Sequence, residues 1–153
     1  MLVVLLSLGI VILDQISKYW IVSRFTLGES LPVVPGFFNL AYVRNTGAAW
    51  GMFGEFTGIL VILSLVVLVV LIVFRRSFLS DSLIHRLALA LMIGGIVGNL
   101  FDRIRLRYVV DFLDFCWRNH HFPAFNVADS SICVGVGLYM LSALFPSANK
   151  PAA

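Results

Sequence analysis

Charge is what this 153-residue chain has least of. Lysine, arginine, aspartate and glutamate make up 12% of it, against 60% hydrophobic residues and a mean hydropathy of +0.99. A soluble domain carries about twice that share of charge, so the soluble class is excluded and an integral membrane protein is expected. Cysteine is equally sparse: Cys116 and Cys133 are the only two, too few for a disulfide framework. The basic residues form no stripe that could track a phosphate backbone, which excludes nucleic acid as a partner. No internal repeat of the kind that builds many transporters is present. With most of the chain apolar there is no room for a separate soluble domain, and one domain over residues 1–153 is expected.

What the chain does have is apolar runs. Four approach the roughly 20 residues that cross a bilayer as a helix, at about residues 2–20, 56–74, 84–101 and 128–145. Backbone in lipid must satisfy its own hydrogen bonds, so these runs are expected to be helices. The fold class expected is an all-α four-transmembrane-helix bundle, with a small β-rich surface element between the first two spans. The first run has no basic leader, and DQISK follows it where a signal would carry a small-residue cleavage site, so it counts as a helix of the bundle. Four crossings put both termini on one side. That side holds Arg75, Arg76, Arg86 and Lys150, and the other holds Lys18, Arg24, Arg44, Arg103, Arg105, Arg107 and Arg118. Counted by Lys and Arg alone, four against seven, the side opposite the termini would be cytoplasmic.

Ionisable groups at the edge of lipid are costly and usually have work to do. Two carboxylates, Asp111 in YVVDF and Asp129 in FNVADSS, stand at the two ends of one expected loop between apolar runs and are expected to work as a pair. Asn126 and Asp129 also fit an ordinary helix N-cap with an acid in the first turn. Asp14 and Lys18 share a helix face in the favoured order for an ion pair, which fits equally a functional pair and an interfacial salt bridge with Lys18 reaching to water. Residues 37–45 (FFNLAYVRN) suit a strand, and the small residues of NTGAAWG after them permit either a close backbone approach or a plain turn. In GGIVGNLFDR, Gly94 and Gly98 make a GxxxG step for close helix contact, and Gly95, Asn99 and Arg103 follow one face toward Asp102. Helix two, with only Thr57 and Ser64 as polar residues, is expected to be a lipid-facing strut. His85 is expected to be structural and Cys133 a small packing residue. Cys116, His120 and His121 match no standard zinc spacing. Trp117, Phe122 and Phe125 suit interfacial anchors.

In order on four apolar segments, DQISK, NTGAAWG, GGIVGNLFDR, VVDF and FNVADS closely resemble the blocks of the lipoprotein signal peptidases (signal peptidase II). The resemblance covers Asp14 to about Ile132. It implies an intramembrane aspartic peptidase that removes the signal peptide from prolipoproteins just before a diacylglyceryl-modified cysteine, with no metal or other cofactor. Carried over by position, it makes Asp111 and Asp129 the catalytic dyad. It gives Asp14, Lys18, Asn45, Gly47, Asn99, Asp102, Arg103, Asn126 and Ala128 roles in shaping the site or binding substrate. It further implies membrane lipid as surroundings, the inhibitor globomycin as a ligand, a monomer, residues 37–50 as a lid or cradle, and a bacterial inner-membrane location. Both termini would be cytoplasmic and the dyad extracytoplasmic, the reverse of the arginine count. A small proton-coupled transporter is the alternative; a structural or assembly subunit is a third possibility.

Overall fold

The computed structural model describes residues 1–47, 57–74, 82–118 and 120–144. Residues 48–51 of the small-residue run, Glu55, the Arg75 and Arg76 pair, and the run ends at Phe56 and Phe145 lie outside them. Four helices and a four-stranded antiparallel sheet make up the described chain. In order they are α1 (Leu2–Arg24), β1 (Ser30–Val34), β2 (Phe38–Asn45), α2 (Thr57–Val73), α3 (Leu83–Leu106), β3 (Val109–Trp117), β4 (His120–His121) and α4 (Val127–Leu144). The strand order is β1-β2-β3-β4.

The helices begin and end where local chemistry dictates. α1 carries no charge before Asp14 and runs on to Arg24, after which Phe25 turns extended. α3 starts at Ser82, whose side chain accepts the His85 N–H, and closes on Arg107 in the left-handed conformation, a C-terminal turn that glycine more often makes. α1 and α3 are long and apolar enough to cross a bilayer; α2 and α4, as described, are shorter apolar helices. α2 buries only Leu60 among its side chains and packs on α3, as a strut facing lipid would.

Glycine decides how closely the helices approach. A Cβ on Gly94 would stand 2.8 Å from Ile10 Cβ, and one on Gly98 would stand 2.7 Å from Asp14 Oδ2. The GxxxG step is therefore the α1–α3 interface. A Cβ on Gly95 would collide with the Ala128 carbonyl oxygen, so the α3–α4 contact turns on the next glycine along. Gly135 returns the contact from α4, where a Cβ would stand 2.9 Å from the Ala88 oxygen.

The segment expected to be a loop between Asp111 and Asp129 begins as a strand. Val109–Trp117 pairs with β2, placing Val43 opposite Asp111 and Asn39 opposite Asp114 across an irregularity between Leu40 and Val43. Alternation along β3 sends Val110 and Phe112 to one face, where they form a core with Ile21 of α1 and Tyr42 of β2. Asp111 takes the other face. Backbone hydrogen bonds between Leu113 and Phe125, 2.8 and 3.1 Å, then hold the approach to α4 against β3. The strand was hidden because two aspartates interrupt its apolar alternation.

Gly95→Ala is expected to lower thermal stability in detergent micelles by about 1–3 kcal/mol, the usual range for overpacking a tight contact. Gly137→Ala, whose Cβ meets nothing within 4 Å, is expected to be neutral or slightly stabilising.

Candidate active site

Four carboxylates converge at the end of the molecule where α1 and α3 finish and α4 begins. Asp14 and Lys18 come from α1, Asn99, Asp102 and Arg103 from α3, Asp111 from β3, and Asn126, Ala128 and Asp129 from the start of α4. Lys18, 3% exposed, lies at the centre. Its Nζ is 2.8 Å from Asp14 Oδ2, 2.9 Å from Asp102 Oδ2 and donates to Asn99 Oδ1 at 2.9 Å. Three ammonium protons meet three acceptors. An interfacial lysine reaching for water, one of the two expectations for this pair, is thereby replaced by a buried one. The neutral Gln15, which sequence reasoning passed over, donates to Asp14 Oδ2, Asp102 Oδ1 and the Gly98 carbonyl at 3.1, 3.0 and 3.3 Å.

This cluster grips both segments that carry the pair of interest. Asp14 Oδ1 accepts the Ala128 N–H at 2.9 Å, one residue before Asp129. Asp102 Oδ2 accepts the Val110 N–H at 3.3 Å, one residue before Asp111. With its Oδ1 occupied by Lys18, Asn99 presents its amide nitrogen to Asp129 Oδ1 at 2.7 Å.

Asn126 touches both aspartates. Its Nδ2 donates to Asp111 Oδ1 at 2.7 Å, and its backbone N–H donates to Asp129 Oδ2 at 3.2 Å while its Oδ1 accepts the Asp129 N–H at 2.9 Å. The last two bonds are a reciprocal capping box, so the N-cap and the second contact to Asp111 belong to one side chain. Asn45 Nδ2 donates to Asp111 Oδ2 at 2.9 Å, and Asn45 is itself fixed by the Gly47 N–H at 2.9 Å. Arg103 Nη2 donates to the Gly47 carbonyl at 3.3 Å, and its buried Nε has no partner among the described residues.

Asp111, Asp129, Asn45 and Arg103 open on one cavity of about 480 Å³, walled by Phe122, Pro123, Ala124 and Phe125 and by Ile132 and Cys133 of α4. Every residue picked out from sequence for the site is within this constellation. Burial, reinforced by the charge of Asp129, pushes the Asp111 carboxyl up to about 7, against the pull of the amides of Asn45 and Asn126. Two carboxyls this close in a buried site favour sharing one proton.

Some expectations change. Cys133 is exposed on the cavity wall and is no buried packing residue. Phe122 and Phe125 also wall the cavity, whereas Trp117 is 69% exposed, as an anchor would be. Asp114 faces away from the site, bonded to Asn39 Nδ2 at 2.8 Å and His121 Nδ1 at 2.8 Å. Among the described residues no three His, Cys, Asp or Glu side chains gather as a metal site would require. His85 ties α3 to α4, with Ser82 Oγ 2.7 Å from Nδ1 and Ser142 Oγ 2.8 Å from Nε2.

The sequence profile of a family described as signal peptidase (SPase) II matches residues 6–145. The chain belongs to the signal peptidase II family. A lipoprotein signal peptidase of Syntrophotalea carbinolica is 46% identical over 144 residues, 92% of this chain and 89% of that one. The lipoprotein signal peptidase of Symbiobacterium thermophilum is 42% identical, over 92% of this chain and 93% of the relative. A solved bacterial membrane enzyme, determined in meso at 2.3 Å resolution, superposes with a TM-score of 0.85 at 35% identity, covering 99% of this chain and 92% of that one. Within this signal peptidase II fold, the partners of Lys18 hold the backbone just before Asp111 and just before Asp129.

Lys18→Met leaves Asp14 and Asp102 buried without their cation and is expected to cost about 3–5 kcal/mol of stability, read as a lowered melting temperature in micelles. Lys18→Met combined with Asp102→Asn, which removes one of the two stranded charges, is expected to recover part of that loss.

Proposed function

We propose that this chain is a prolipoprotein signal peptidase that hydrolyses the bond before a diacylglyceryl-modified cysteine with Asp111 and Asp129 as an aspartic dyad. The observation that carries the chemistry is that both carboxylates open on one cavity while both are bonded to Asn126. Membership of signal peptidase II supports the substrate. The matched relatives are peptidases, which sets the proton-coupled transporter aside.

In the first step one carboxylate takes a proton from water as its oxygen attacks the scissile carbonyl carbon, and the other carboxyl gives its proton to the carbonyl oxygen. The product is a tetrahedral diol. On collapse a diol proton passes to the carboxylate that had donated, and the acid formed in the first step protonates the leaving nitrogen as the C–N bond breaks. The lipidated cysteine leaves with a free amine and the signal peptide with a new carboxylate. The two carboxyls hold one proton between them and titrate as a unit. Arg103 lines the same cavity and sets its positive charge beside the two aspartates.

All four helices would span the bacterial inner membrane of a monomer with cytoplasmic termini, and the sheet and dyad would lie at the extracytoplasmic face. The signal helix would approach through the apolar cavity wall, the diacylglyceryl chains would stay in lipid, globomycin would occupy the same cavity, and residues 37–50 would cradle the peptide.

Asp111→Asn and Asp129→Asn are each expected to reduce cleavage of a lipidated precursor by roughly 10²–10⁴-fold or more without loss of fold; substantial turnover by either would remove the dyad. Globomycin is expected to inhibit the wild type in the same assay. For pH, the sign follows from a carboxyl raised in the folded state to about 7. Its shared proton, and hence kcat/KM, is lost as pH rises through that value. Asn45→Ala, which removes a hydrogen bond to the charged form, should move this alkaline limb upward. Stability obeys the same linkage, falling as pH rises from about 4, where a free aspartate ionises. Asp111→Asn is therefore expected to melt higher than the wild type above pH 7, with the gap closing in acid.

A further inference from the structure

Of the seven basic residues counted on the side of the sheet, only Lys18 and Arg103 are taken up by the site. Arg24, Arg44, Arg105, Arg107 and Arg118 are exposed, while Glu29 is the one exposed acid on the described chain. Its carboxylate is engaged by the Thr26 N–H and hydroxyl at 2.7 and 3.0 Å. Ion pairs among the described residues involve none of these five arginines.

Their placement is regular. In α1, exposed Trp20 is followed one turn later by exposed Arg24; in α3, exposed Phe101 is followed one turn later by exposed Arg105. Residues four apart share a helix face, and the second lies about 6 Å farther along the axis. Tryptophan favours the membrane interface, so Arg24, one turn beyond Trp20, stands near the depth of lipid phosphates, and Arg105 follows the exposed apolar Phe101 by the same step at the same end of the molecule. Arg44 sits at the same end, since β2 packs with α1 through Tyr42 and Ile21. Its guanidinium carbon lies 4.7 Å over the Tyr108 ring and 5.6 Å over the Tyr42 ring, and its Nε donates to the Tyr42 hydroxyl at 3.1 Å. Stacking fixes the plane of the guanidinium, and its two Nη groups carry no hydrogen bond among the described residues. Arg107 immediately precedes Tyr108.

We propose that Arg24, Arg44, Arg105 and Arg107, all exposed at the end of the molecule that carries the active site, form a binding surface for the headgroups of anionic phospholipids. A phosphodiester oxygen pair matches the fork of a held guanidinium. Charge selects anionic over zwitterionic lipid because a zwitterionic headgroup brings its own cation to the same place. The surplus of arginine on this side, which counts against the proposed orientation, is thereby given a role. The surface uses the proposed orientation only to name the leaflet.

The two described tryptophans, Trp20 and Trp117, are exposed at this end of the protein, so their quenching reports on it. The full chain is reconstituted in phosphatidylcholine vesicles containing equal small amounts of brominated phosphatidylglycerol or brominated phosphatidylcholine. The wild type is expected to be quenched preferentially by the brominated phosphatidylglycerol, and added salt should weaken the preference. Each arginine at such a surface is worth about a fivefold change in association. Arg44→Gln should lose about that factor, and Arg24→Gln, Arg44→Gln and Arg105→Gln together should abolish the preference. Arg44→Lys should keep part of it, and Arg86→Gln at the other end of α3 should keep it all. A wild type without preference, or a triple variant with unchanged preference and unchanged melting temperature, overturns the proposal. The measurement needs no substrate, so intact lipid selectivity beside a failure to cut lipidated precursor would sink the proposed function alone.

Discussion

One buried ammonium holds the working end of this protein together. Lys18 meets Asp14, Asp102 and Asn99 at 2.8–2.9 Å, and those three partners fix everything nearer the cavity. The free oxygen of Asp14 takes the backbone just before Asp129, Asp102 takes the backbone just before Asp111, and Asn99 turns its amide to Asp129. A charge this deep is tolerable only when every proton has an acceptor. That requirement is what makes the geometry rigid: no member can move without leaving a buried charge unpaired.

The cluster can form only because the helices approach closely enough to share it. Apolar side chains gain nothing from one another that lipid tails do not also offer, so contact in a membrane rests on small residues and polar bonds. Gly98 sits where any side chain would strike the Asp14 carboxylate, and Gly95 where it would strike the α4 backbone. Small residues and ions thus serve one another here. The glycines admit the charges, and the charges hold the glycine-lined surfaces in register.

The sheet contributes what helices cannot. β3 brings Asp111 in from one side while α4 brings Asp129 from another, and the hydrogen bonds of Leu113 with Phe125 fix how the strand leads into the helix. Because strand side chains alternate, the face carrying Val110 and Phe112 can pack on Ile21 while Asp111 faces the cavity. The acids end up in a site that is dry enough to raise Asp111 to about 7 and polar enough to keep Asp129 bonded.

From sequence alone came the membrane class, the four apolar runs, the GxxxG contact and the identity of the polar residues, because scarce charges in an apolar chain stand out by composition. The ion pair of Asp14 and Lys18 and the N-cap at Asn126 were also legible, since both depend on spacing within one helix. Only the tertiary structure decided that Lys18 is buried between two carboxylates from different helices, that Gln15 bridges them, and that residues 109–117 form a strand. It also decided that Cys133 faces the cavity and that five arginines remain on the surface. These depend on which segments meet across dozens of residues. A local pattern records a residue's neighbours along the chain; the partner that satisfies its charge or hydrogen bond is chosen by packing.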